Sequence, residues 1–102
     1  MSKGNIANEM MNGIGMLEGS ATWDPGSIGD GNEEAKEITV TGAALGDYVI
    51  ATSFSLDVSD LQLTADVTAA NTVTAVLSNS TGGAVDLDSG TVRVLVMDRS
   101  QK

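Results

Sequence analysis

A chain of 102 residues is one domain at most, and a formal charge of −9, from 5 Lys and Arg against 14 Asp and Glu, sets its surface against phosphate backbones and anionic membranes. With no Cys and no His, the chain has no disulfide, thiolate nucleophile or imidazole base, and a zinc site loses its usual ligands. Three aromatics, Trp23, Tyr48 and Phe54, leave the core to Val, Leu, Ile and Ala.

The first segment fits neither the helical nor the strand period. "NEMMNGIGMLEGSATW", from Asn8 to Trp23, holds three of the five methionines and three glycines. Ile6, Met10, Met11, Ile14 and Leu17 approach helical spacing, but Gly13 and Gly15 cost such a helix about 1 kcal/mol each relative to Ala. A disordered tail is normally polar, whereas flexible Met side chains suit an adaptable contact surface. Residues 1–19 are therefore predicted to be an extended arm that orders on a partner. Its apolar anchors are Ile6, Met10, Met11, Ile14, Met16 and Leu17. One Lys, then Asn and Glu inside the apolar stretch, make a poor secretory signal. No run approaches 18 apolar residues, so no membrane span is expected.

Trp23 stands before Asp24-Pro25, where proline fixes the chain direction. A core this short of aromatics is expected to use its one Trp, the competing reading being a binding hot spot. Residues 1–35 hold seven of the twelve glycines and the single proline, so "DPGSIGDGNEEAKE" reads as a loop and a charged entry to the folded part.

From Lys36 onward a period of two dominates. Ile38 and Val40 alternate with Thr39 and Thr41, and "TGAALGD" is a turn. "DYVIATSFSL" is apolar on both faces, as for an inner or covered strand. "LQLTADVT" puts Leu61, Leu63, Ala65 and Val67 on one face. "AAN", Ala69 to Asn71, is a tight hairpin with Asn71 suited to positive φ. "NTVTAVLSN" returns with Val73, Ala75 and Leu77 inward. "NSTGG" is a second turn and "AVDLDSG" a short edge segment. "TVRVLVM" closes with Val92, Val94 and Val96 inward and Arg93, Leu95 and Met97 outward. Residues 20–102 are thus predicted to be an all-β domain, a small antiparallel β-sandwich or barrel.

A core of this size is marginal for one chain without disulfides or metal. Ile50, Leu95 and Met97 are apolar on a side that a lone sandwich would expose. They are the candidates for an oligomer interface.

The carboxylates fall in small groups that could in principle hold an ion: Asp30, Glu33, Glu34 and Glu37; Asp57 and Asp60; Asp86 and Asp88. "DGNEEAKE" lacks the Asp/Asn ladder and terminal Glu of a calcium loop. Solvated turn residues are the simpler reading, so neither metal nor cofactor is expected. Without His, Cys or a well-placed Lys no nucleophile and base pair can be assembled, and the chain is not expected to be an enzyme. "STGG" and "GSIGDG" do not join a strand to a helix as phosphate loops do.

The pieces "TWDPGSI", "ITVTGAALGDYVIATSFS", "LQLTADVTAANTVTAVLSNSTGG" and "VDLDSGTVRVLV", in this order and spacing, resemble small β domains encoded among structural genes of tailed bacteriophages. The resemblance implies a jelly-roll-like head decoration (cement) protein or head-fibre tip, commonly a homotrimer. It carries no catalytic motif. A short arm before the domain, with no fibre shaft, fits a cement protein better. The expectation is a virion protein on the outer surface of the capsid. It would bind the major capsid protein and stabilise the shell by bridging neighbouring subunits, with no nucleic-acid or membrane partner. The alternative is a receptor- or glycan-binding tip domain of a fibre.

Overall fold

The structure, a computed structural model, describes residues 16–98. Eight strands order them: β1 Met16–Trp23, β2 Gly26–Ile28, β3 Glu33–Thr39, β4 Tyr48–Phe54, β5 Gln62–Ala69, β6 Thr72–Ser78, β7 Val85–Leu87 and β8 Gly90–Met97. The fold is all-β, with no helix among the described residues.

All pairings are antiparallel, and three are nested: β1 with β8, β2 with β7, and β3 with β6. The chain therefore runs out along β1-β2-β3 and returns along β6-β7-β8 as one long ribbon. Folding that ribbon over itself gives jelly-roll-like wrapping. At its far end β4 turns back to pair with β8, and β5 pairs with β6. The result is two three-stranded sheets, β1-β8-β4 and β3-β6-β5, and a two-stranded β2-β7 piece. β1 approaches β3 and β4 approaches β5, so the two larger sheets lie face to face.

Alternation puts the core between them. In β6 Val73, Ala75 and Leu77 are fully buried, and in β8 Val92, Val94 and Val96 face them. Ile38 and Val40 are buried as their alternation with Thr39 and Thr41 predicts, and Leu61 opens the inward row of β5. Fully burying each Val, Leu or Ile contributes about 1.5–3 kcal/mol, so these rows hold the sheets together. β2 and β7 close one end with buried Ile28 and Leu87. Trp23 is buried there, edge-on to Phe54 with ring centroids 6.0 Å apart, so it belongs to the core. Gly90 makes room for this pair: a Cβ on it would lie 2.8 Å from the Phe54 ring and 2.7 Å from Ser55 Oγ.

The hairpin between β5 and β6 is as short as the sequence indicates, and Asn71 takes φ 61°. Asn71 also ties the hairpin to the Thr41–Asp47 turn. Its Oδ1 accepts from the Gly42 N–H at 2.7 Å, its N–H donates to Ala43 O at 2.7 Å, and its carbonyl accepts from the Val40 N–H at 2.9 Å.

Three expectations need correction. The boundary at residue 19 falls inside a strand, because β1 begins at Met16. Along β1, Leu17, Gly19, Ala21 and Trp23 face the core. Gly19 is small for a reason: a Cβ there would meet Thr39 O and Val40 Cγ2, both at 2.7 Å. The close approach of β3 thus removes the apolar alternation by which a strand is read. Second, β2 and β3 precede or span residue 36, within the supposed loop and entry. β3 is an edge strand whose residues up to Glu37 are mostly exposed. Its inward position at Lys36 is half-buried, where an aliphatic stem can cover the core while the ammonium reaches water. Third, β4 is an edge strand, not an inner one. A register shift between Val49 and Ala51 turns Ile50 and Ala51 both to solvent, which explains its two apolar faces.

Candidate functional site

The two sheets present outer faces of different chemistry. On β3-β6-β5, Glu37, Thr74 and Asp66 form one cross-strand row and Glu33, Ser78 and Gln62 another. Ala35 and Val76 are the apolar exceptions, and no Lys or Arg stands among these residues. Hydroxyls pair with one another there, Thr68 Oγ1 lying 2.7 Å from Thr74 Oγ1. This face is built to be solvated.

The outer face of β1-β8-β4 is apolar at the end where β1 begins and β8 finishes, and polar beyond it. The register sets Met16, Met97 and Tyr48 in one row, Glu18, Leu95 and Ala51 in the next, and Ser20, Arg93 and Ser53 in a third. Tyr48 is 56% and Ile50 46% exposed, while Leu95 and Met97 are half-buried on the central strand. Leu45, 67% exposed, stands in the turn that leads into β4. A shallow depression of ≈ 320 Å³ opens between Glu18, Arg93, Leu95, Ala51 and Ser53. The face carries one carboxylate, Glu18, and one cation, Arg93; Asp47 and Asp98 lie just beyond the strand ends. The exposed apolar side chains thus gather at the Met16, Met97 and Tyr48 end of this face, and exposed apolar clusters of this kind commonly mark contact surfaces.

The residues read from the sequence divide as follows. Ile50, Leu95 and Met97 are brought together on this face, and Met16 joins them as the neighbour of Met97. Leu17 does not belong with an arm: it is on the opposite side of β1 and packs against the core. Ile6, Met10, Met11 and Ile14 lie outside the described residues. Tyr48, Ala51, Glu18 and Arg93 also stand on this face, beyond the candidates read from the sequence. Arg93 sits on the same alternating row as Leu95 and Met97, so that row held the signal. Glu18 and Ala51 required the pairing register.

The far end of the sandwich is polar. Asn79, 2% exposed, follows β6 and joins three segments. Its Nδ2 donates to Ile28 O at 2.7 Å and Gly83 O at 2.8 Å, and its Oδ1 accepts from the Thr81 N–H and Oγ1, both at 2.8 Å. Its backbone closes a second pair, donating to Asn32 O at 3.0 Å and accepting from the Gly31 N–H at 2.8 Å. Asp30 Oδ1 accepts from the Gly82 N–H at 3.0 Å, tying the β2–β3 loop to the β6–β7 loop, and Asp57 Oδ1 accepts from the Ser59 N–H at 2.9 Å within its own loop. Among the described residues no three acidic side chains stand close enough to share a metal ion. A polar depression of ≈ 580 Å³ lies beside Ser27, Asn32, Glu33 and Glu34.

No protein-family model matches the chain, and no curated protein matches it either.

Proposed function

We propose that the chain is a structural protein of a virus particle: a homotrimeric decoration protein that binds the outside of a tailed-phage head. In this role it stabilises the shell by bridging major capsid proteins. The observation that carries the reading is the contrast between faces, an apolar β1-β8-β4 surface on an otherwise acidic sandwich. The apolar face serves assembly. The acidic face, turned outward, keeps a particle soluble and discourages adhesion. The sequence resemblance to small β domains of phage structural genes points the same way, as does the lack of any His or Cys for catalysis. A single small contact binds weakly, but a trimer presents its contacts together, and linked sites gain by effective concentration.

The test is addition of purified protein to expanded, undecorated heads, followed by sedimentation and a heat or urea challenge. The expected result is saturable binding and heads that survive a harsher challenge. Heads that neither bind the protein nor gain resistance would refute the role. Binding to host cells or glycans in place of heads would favour the fibre-tip alternative.

A further inference from the structure

We infer that a second copy of this chain covers the outer face of the β1-β8-β4 sheet, with Arg93 of one copy set against Glu18 of its neighbour. The inference rests on the oligomeric reading above and specifies the surface and the charged pair that fixes its register.

Charge selects the occupant. Each chain carries −9, so two copies repel wherever carboxylates face one another. Meeting through β3-β6-β5 would set Glu33, Glu37 and Asp66 of one copy against the same three of the next. The β1-β8-β4 face has one charge of each sign, and it is the broad strand face on which two such chains can meet without net repulsion. A basic partner would be drawn instead to the acidic sheet. An acidic partner would gain nothing here, because Glu18 offsets the single Arg93.

The positions of the two charges argue further. Glu18 lies opposite Leu95 and Arg93 opposite Ser20, so the charges are diagonal neighbours on one face. Both side chains are exposed, and neither forms an ion pair within the chain among the described residues. Glu18 is on the edge strand β1 and Arg93 on the central strand β8. In a closed ring, one side of this face meets the other side of the next copy, a heterologous contact. Each interface can then bring one Glu18 to one Arg93 across the depression beside Leu95. Met16, Tyr48, Ile50, Leu95 and Met97 supply the apolar area. The charged pair penalises sliding by one strand position, because slipped registers leave a charge desolvated and unpaired.

The test is light scattering at micromolar concentration on the full chain, with four variants: Arg93→Glu, Glu18→Arg, both together, and Glu37→Lys on the other sheet as a control. The wild type and control are expected to give the oligomer mass. Each single reversal on the apolar face should give the mass of one chain with an unchanged circular dichroism spectrum, and the double swap should restore the oligomer. If a single reversal perturbs the spectrum, Arg93→Ser replaces it, with association expected to weaken at least tenfold. A monomeric wild type, single variants that still assemble, or a double swap that fails to recover would overturn the inference. Head binding distinguishes its failure from that of the proposed role. Variants that still assemble and still decorate heads refute only the interface. Variants that behave as expected, with no head binding by any oligomer, refute only the role.

Discussion

Asn79→Ala is expected to lower stability by about 2–4 kcal/mol, which is large for a polar side chain outside the strands. The magnitude follows from what the amide leaves behind. Ile28 O is inside the protein and accepts from Asn79 Nδ2 at 2.7 Å. A buried acceptor left without a donor costs about 1–3 kcal/mol. The bonds to Gly83 and Thr81 are nearer the surface, where water replaces part of them, so together they add about 1 kcal/mol. Asn79→Asp is the sharper comparison. It keeps the volume and the acceptor for Thr81, but it turns an oxygen toward the two carbonyls of Ile28 and Gly83. That variant should be less stable than the alanine variant at neutral pH. Burial and the two carbonyls disfavour its ionised form, raising its folded pKa above the unfolded value. Its deficit is therefore fully present above that pKa and shrinks as pH falls and the group takes a proton. The assay is urea unfolding followed by Trp23 fluorescence at fixed protein concentration, because association also stabilises the folded state. With a urea slope of about 1–1.5 kcal/mol/M for a domain of this size, the alanine midpoint should fall by roughly 2 M. A shift below about 0.5 M at unchanged slope, or an aspartate variant as stable as the wild type, would refute the reasoning.

Gly19→Ala is expected to cost about 1–3 kcal/mol by overpacking against Thr39 O and Val40. Gly83→Ala, where a Cβ meets nothing within 4 Å, should leave the melting temperature unchanged; equal effects of the two would refute the close-approach argument. Deleting residues 1–15 should keep the folded spectrum, whereas deleting 1–18 also removes Met16–Glu18 from their pairing with Met97, Val96 and Leu95 and should lower the melting temperature measurably. If the shorter deletion leaves head decoration intact, the anchors Ile6, Met10, Met11 and Ile14 are not needed and contact lies on the sandwich. Raising salt from 0.05 to about 0.5 M should not dissociate the oligomer, since screening relieves the repulsion between chains more than it weakens one ion pair; dissociation in scattering would show the reverse balance. Excess chelator should move the melting temperature by less than about 2 °C, and a larger drop in a thermal scan would revive an ion at Asp86 and Asp88.

Where the sequence alternates, it was sufficient. The inward rows of β5, β6 and β8, the Ala70-Asn71 connection and the outward Leu95 and Met97 can be read from a period of two and one turn residue. β1 is hard to read because its inward positions include Gly19, required by the close approach of Thr39 and Val40, and the small Ala21. Nothing local records that constraint. β3 was missed because an edge strand with one solvated face can carry Glu-Glu-Ala-Lys-Glu and still pair through its backbone. The bulge at Ile50 is likewise a property of the β4–β8 pair, not of either strand alone. The apolar candidate surface was legible in part for the same reason: its β8 row is local, whereas Met16, Glu18 and Tyr48 reach it only through register.

The pairing of Met16 with Met97 places the first and last strands side by side, with the two ends of the described chain emerging together. Paired residues on adjacent strands have Cα atoms about 4.5–5.5 Å apart, so a short linker could join those ends without disturbing the sheet. At the opposite end, Asp88 and Ser89 are exposed between β7 and β8 and take no part in the loop hydrogen bonds that hold Asn79. Opening the chain there would give a circular permutant that keeps every strand pairing while reversing which end of the sandwich carries its termini. Cargo genetically fused to such a permutant would leave beside Trp23 and Gly90, whereas cargo joined directly before Met16 or after Met97 would emerge beside those two residues. The order of the strands along the ribbon thus decides from which side the molecule can display anything attached to it.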